Sequence, residues 1–259
     1  MPSDSRRPIL ISMVHFEDEL KAGQRTMLDL LETAHRLGAD GIELRREPWP
    51  GQAEELLAVR QRAEALGLLI VYATMATLFN DNPAGEQALY EDMTTAKALG
   101  APQLRVFQGP APTDATDPAW GKARQAIDEA ASQGIVLALE NYARTPGGTL
   151  AEIKHVLDEI QSPNLTTNID FANYYGRDED IFNAIQTVGS RASSAHLKDV
   201  TDDPDDRLTY LGGGQLPMDR IIAALDTLPQ KILYCFEFRG GGDPEGRIEK
   251  SIAYLQARS

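Results

Sequence analysis

Several chemistries are ruled out by what this sequence has little of. Cysteine occurs once, at Cys235, so an internal disulfide and any paired-cysteine metal or redox motif are excluded, and a reducing compartment suits the chain. No apolar run reaches the roughly 18–20 residues that a membrane span needs. The opening stretch carries Arg6 and Arg7 and a short apolar run that gives way to His15 and Glu17, too brief for a secretory signal. These absences predict a cytoplasmic protein with no membrane partner. Positive charge is scarce too: 25 Lys and Arg stand against 39 Asp and Glu, a formal net charge of −14. Such a surface repels phosphate backbones and no Lys/Arg stripe offsets it, which argues against a nucleic-acid partner. A glycine-rich phosphate loop is missing as well. The sequence "MVHFEDELKAG" stands where a dinucleotide-binding fold would place one. Histidine is rare, at His15, His35, His155 and His196, so the placement of each is informative.

What is present is a repeat of about 30 residues: a short β-rich apolar run, a polar loop, then an amphipathic helix. The apolar runs span residues 9–16, 41–45, 68–75, 103–109, 135–141, 165–173, 193–199 and 232–238. Their length and continuous hydrophobicity suit parallel strands buried on both faces. Between them, "TMLDLLETAHRLGA" has apolar residues at 27, 30, 31, 34 and 37 and a glycine near its end, the signature of a core-facing helix. "DPAWGKARQAIDEAASQG" opens with Asp117 as a cap and Pro118 in the first turn. Alternating strands and helices over 259 residues, with no hairpin signal, predict a single-domain (β/α)8 TIM barrel over residues 1–259.

Chemistry in such a barrel sits at the C-terminal ends of the strands. Alternation along each strand then selects the side chains that enter the lumen. If Leu137 and Leu139 face the helices, Glu140 faces inward. The same rule turns Asp170 inward in "TNIDFAN", His196 and Lys198 in "SAHLKD", and Cys235, Glu237 and Arg239 in "YCFEFR". Four successive strands thus aim Glu140, Asp170, His196 and Glu237 at one place. Taken singly, each has an ordinary reading: His196 and Cys235 as core residues, the acids as loop carboxylates or caps. Together, three carboxylates in an apolar mouth repel one another unless positive charge sits among them. Lys198 and Arg239 could supply part of it, and a divalent cation more. One imidazole with three carboxylates suits one divalent metal ion, Mn²⁺, Mg²⁺ or Co²⁺, with Zn²⁺ also admissible. Glu43 and Arg105 also point inward, as an interior ion pair or as substrate contacts.

The ordered set "GIELR", "LRVFQG", "ALEN", "IDFAN", "AHLKD", "YLGGG" and "FEFRG" resembles the sugar phosphate isomerase/epimerase superfamily of xylose isomerase-like TIM barrels, over essentially the whole chain. That superfamily includes ketose 3-epimerases, hydroxypyruvate isomerase, inosose and 3-dehydroshikimate dehydratases, and endonuclease IV. The resemblance implies that Glu140, Asp170, His196 and Glu237 bind one metal ion. It also implies that Glu140 and Glu237 exchange protons with substrate carbon. Lys198, Arg239, Gln108, Asn173, Arg207 and Glu43 are then the expected substrate contacts. The stretch "HLKDVTDDPDDR" departs from the ketose 3-epimerase pattern, and only Arg207 stands in for its substrate arginine. Endonuclease IV needs more histidines than this chain has.

The expected function is a divalent-metal-dependent isomerase or epimerase of a small keto-sugar or polyol derivative, working by proton abstraction beside a carbonyl through a metal-stabilised enediolate. A lyase on the same site is the alternative: a dehydratase of the inosose or 3-dehydroshikimate type, or an enzyme cleaving a 3-keto-glycoside. A non-catalytic sugar-binding barrel is the third. The partner is a small sugar, and pairing with a second copy of the chain is left open. Trp49 and Phe79 are loop aromatics that could meet a sugar ring, another subunit or the chain itself. The segments "YGRDED", "TDDPDDRLTYLGGG" and "FRGGGDPEG" are candidate lids.

Overall fold

The computed structural model describes residues 6–47, 49, 51–177 and 179–258. Strands numbered in chain order are β1 (Ile9–Ser12), β2 (Gly41–Arg45), β3 (Leu69–Thr77), β4 (Gln103–Phe107), β5 (Val136–Glu140), β6 (Leu165–Asp170), β7 (Ala192–Leu197), β8 (Asp199–Val200), β9 (Leu208–Thr209) and β10 (Leu233–Phe236). Eight of them close a parallel barrel in the order β1-β10-β7-β6-β5-β4-β3-β2. This is the predicted single (β/α)8 barrel. The remaining two, β8 and β9, form an antiparallel ribbon above β7. The sequence reading found no hairpin there, because a ladder of two residues a side is too short to show alternation.

Local chemistry starts and stops the elements. The helix α2 (Met27–Arg36) opens with a reciprocal capping box between Thr26 and Asp29, and α6 (Leu150–Ile160) with one between Thr149 and Glu152. Asp117 caps α5 (Pro118–Ser132) as expected, accepting from Ala119 N–H. The helices α3 (Ala53–Leu66) and α4 (Pro83–Leu99) end on Gly67 and Gly100 with φ near +70°, a conformation that glycine adopts without strain. The outer layer is completed by α8 (Ile181–Val188), α9 (Met218–Asp226) and α10 (Pro244–Gln256). Several strands are shorter than the apolar runs suggest, and at β1 and β6 a helix takes over. After β1 the chain turns into a 3₁₀ helix, Met13–Phe16, capped by Ser12, and then α1 (Glu17–Lys21). After β6, the Asp170 side chain accepts from Asn173 N–H and starts α7 (Phe171–Tyr174).

The main core lies between barrel and helices and includes Leu137, Leu139, Ile169, Leu197 and Phe236. Leu10, Val71 and Cys235 pack separately inside the barrel. Register then places the functional side chains. Glu140 pairs with Asn168, Asp170 with His196, and His196 with Cys235, so the inward residues of neighbouring strands stand at one level. Among the described residues no helix is long and apolar enough to cross a membrane.

Candidate active site

The four expected metal ligands meet at the mouth of the barrel. His196, almost wholly buried on β7, turns Nδ1 toward Glu140 Oε2 at 3.5 Å, Asp170 Oδ2 at 3.7 Å and Glu237 Oε2 at 3.8 Å. Its other nitrogen, Nε2, lies 2.8 Å from Glu43 Oε2, and Ser12 Oγ donates to Glu43 Oε1 at 3.0 Å. Glu43 therefore accepts a hydrogen bond from Nε2–H and leaves Nδ1 toward the carboxylates, the arrangement that orients a metal-ligating imidazole. Nδ1 is buried with no hydrogen-bond partner. A buried polar atom in that state is costly, and a cation shared with the surrounding carboxylates relieves it. Glu140, Asp170 and His196 bring one ligand atom each within 4.8 Å of one another, so these groups could hold a metal ion.

Each carboxylate also has a cation against it, one of them shared. Lys198, just past β7, lies 2.7 Å from Asp170 Oδ2 and donates to Glu237 Oε2. Arg45 Nη1 donates to Glu237 Oε1 at 2.7 Å, and Arg105 Nε stands 2.9 Å from Glu140 Oε2. Asn173 Nδ2 donates to Asn141 O at 2.9 Å and reaches Glu140 Oε1 at 3.5 Å. The two glutamates are driven apart in acidity. Burial raises the Glu140 pKa, and the nearby Asp170 and Glu237 add to it against the pull of Arg105 and His196. Burial would raise Glu237 too, but Lys198, His196 and Arg45 together hold it well below the usual carboxylate range. Burial would lower His196, yet Glu43 and Glu140 hold it well above its ordinary value. Burial is likewise outweighed at Glu43, which His196, Arg105 and Arg45 hold at about 2.

Phe107, Tyr142, Asn173, Lys198, Glu140 and Glu237 line a cavity of about 270 Å³ over this centre. Asn173 and Lys198 are where the sequence reading puts substrate contacts. Two other expected substrate contacts, Gln108 and Arg207, need correction, and so does the place of Arg239 among the carboxylates. Arg239 reaches the cavity rim but is largely exposed and pairs with Glu17 at 2.6 Å, so it does not sit among the carboxylates. Arg45 does that instead. Gln108 is buried beside Gly147 and is not among the residues lining the cavity. Strand alternation from Arg105 sends Phe107, not Gln108, into the lumen. Arg207 is exposed at the end of the ribbon turn and also does not line the cavity. Glu43 grips His196 and Arg105 grips Glu140, so the interior ion pair anticipated between the two has other partners. Trp49 and Phe79 are buried in the core, Phe79 edge-on to Trp120 at 5.0 Å. Arg45 was missed, although it lies two residues beyond Glu43 on the same strand face.

No curated protein sequence matches the chain. Solved structures do. A D-allulose 3-epimerase from Methylomonas sp. shares 20% identity, with 98% of each chain covered and a TM-score of 0.76. D-Psicose 3-epimerase from Clostridium cellulolyticum H10, with D-tagatose, shares 16%, covering 96% of this chain and 98% of that one at a TM-score of 0.77. The probable 3-DHS dehydratase AsbF of Bacillus anthracis shares 18%, covering 97% and 100% at 0.73. At such identities the likeness is one of fold. Residues 31–258 match the family model for the xylose isomerase-like TIM barrel, and the chain belongs to that family.

Proposed function

We propose that this protein is a divalent-metal-dependent isomerase or epimerase that moves a proton at carbon beside a carbonyl of a small keto-sugar or polyol derivative. The observation that carries the reading is the pair Glu140 and Glu237. They approach one imidazole nitrogen from different strands, at 3.5 and 3.8 Å, while their surroundings push their acidities in opposite directions. Two carboxyls so separated suit an acid and a base. Glu237, kept ionised by Lys198 and Arg45, is the proton acceptor. Glu140, across the centre, is the group that returns the proton. Glu140, Asp170, His196 and Glu237 would hold the metal, which supplies Lewis acidity toward a carbonyl oxygen. Lys198 and Asn173 face the cavity and orient substrate oxygens. Phe107 and Tyr142 wall it and limit the entry of water.

Glu140→Gln and Glu237→Gln, tested with a panel of keto-sugars in D₂O by NMR, should each lose deuterium incorporation at carbon by about 10²-fold or more, with the fold retained. Normal exchange in either variant would remove the acid–base assignment. A second reading, a lyase on the same residues, draws support from the dehydratase among the structural neighbours. An enone product, in place of deuterated keto-sugar, would select it. A protein that binds sugar without exchange or elimination would be the non-catalytic barrel.

A further inference from the structure

We propose that the substrate carries an anionic group, a carboxylate or a phosphate, which docks in an arginine-lined side lobe of the cavity between the ends of β1, β2 and β3; this rests on the isomerase reading of the centre. The lobe has a volume of about 300 Å³ and is lined by Arg45, Arg105 and Arg239 together with Met75. It shares Val14, Arg45, Met75 and Arg239 with the cavity over the carboxylates, so one ligand can occupy both. Its acidic residues are Glu17, already paired with Arg239 and Lys21, and Glu47.

Arg105 makes the lobe more than a charged rim. The residue is 1% exposed. Its Nε faces Glu140 and its Nη1 donates to Thr74 O at 2.8 Å, while Nη2 is buried with no acceptor among the described residues. A guanidinium donor left unmet in the interior is expensive. Its fork geometry matches carboxylate and phosphate oxygens. A neutral ligand in the lobe offers only weak acceptors to that group.

Charge balance points the same way. Even with Glu43, Glu140, Asp170 and Glu237 all ionised, they face Arg45, Arg105 and Lys198 within the centre, beside a His196 that is neutral when it holds a metal. A divalent ion held by the centre makes the set net positive, and a substrate anion restores balance. Opposite charge in a water-poor cavity raises the local concentration of such a ligand. Met75 supplies the remaining wall, a large apolar side chain 53% exposed.

The test is calorimetric titration of the Mn²⁺-loaded protein with three probes: D-gluconate, D-glucitol 6-phosphate and neutral D-glucitol. These share a six-carbon polyol chain and differ at its end. At least one anion should bind roughly tenfold more tightly than D-glucitol, and which one it is separates carboxylate from phosphate. Met75→Glu, a change at an exposed position that keeps the fold, should abolish that advantage. Equal affinity for all three probes, no anion binding at millimolar concentration, or an advantage undiminished in Met75→Glu overturns the proposal. Failure of the isomerase reading would show separately, as an absence of deuterium exchange with every keto compound whichever way the calorimetry falls.

Discussion

The two ends of one barrel lumen are built on opposite terms. At its floor, Leu10, Val71 and Cys235 pack together, and above them Gln103 donates to Ser194 and Ser194 to Asn168, neutral groups each supplied with a partner. At the mouth, toward the C-terminal ends of the strands, stand Asp170, Lys198 and Glu237, with Glu140 in register with Asn168 and His196 in register with Cys235 at the boundary. The floor is held by burial and by matched neutral hydrogen bonds. The mouth buries several charges whose desolvation is offset only by one another. The step from Cys235 to Glu237, or from Asn168 to Asp170, thus crosses from a region built to be stable to one built to do chemistry. Burial shows its sign in both. It pushes the Cys235 thiol up to about 12, which keeps it neutral, while the glutamates at the mouth stay in play because cations compete with burial.

That contrast can be broken most sharply at Lys198. Lys198→Met removes the shared cation of Asp170 and Glu237 and should cost about 3–5 kcal/mol in urea unfolding at neutral pH, as expected when one partner of a buried charge cluster is deleted. A cost below about 1 kcal/mol would mean that the mouth carries no such tension. At the floor, Leu10→Ala should cost about 2–5 kcal/mol through the cavity it leaves, with Mn²⁺ affinity unchanged. A large loss of metal affinity there would contradict the division between the two ends.

A third measurement uses His15, which packs on Phe238 at 4.3 Å between ring centroids and donates Nδ1–H to Phe238 O at 2.7 Å. Burial lowers its pKa to about 4. With a folded value below the ordinary 6.5, the unfolded chain binds the extra proton first. Stability from this group is complete above pH 6.5 and is lost as pH falls toward 4, by up to roughly 3 kcal/mol. His15→Gln should flatten that limb of the stability profile. Glu43, held at about 2, adds its own loss only as pH falls below its ordinary 4.5, so the two windows can be told apart. The smallest effect sharpens the comparison at its boundary. Glu43→Gln keeps a hydrogen-bond acceptor for His196 but removes the charge, and should weaken Mn²⁺ binding about 10–100-fold by calorimetry. Unchanged affinity would show that Glu43 serves the barrel's stability alone.

Much of this was legible in the sequence. Periodicity located eight barrel strands because a strand buried on both faces must be apolar, and the intervening helices announce themselves through capping residues such as Thr26, Asp117 and Thr149. Alternation correctly turned Glu43, Arg105, Glu140, Asp170, His196, Lys198 and Glu237 into the lumen. It failed where it was not applied evenly: Arg45 and Phe107 obey the same rule and were passed over, while Gln108 was chosen against it. Arg239 lies beyond the last residue of β10, where strand geometry no longer dictates direction, and a partner on α1, Glu17, draws it outward.

By itself, then, the sequence determined the barrel and the residue types gathered at the mouth, because secondary-structure periods and strand parity are local properties of the chain. Which cation holds which carboxylate was decided only by the tertiary structure. Charge–charge energies change steeply over a few ångströms and with exclusion of water, and those distances arise between residues such as Glu43 and His196, or Arg45 and Glu237, that meet only when the barrel closes. The opposite pulls on the acidities of Glu140 and Glu237 follow from those contacts. The same closure leaves Nη2 of Arg105 buried with no partner among the described residues.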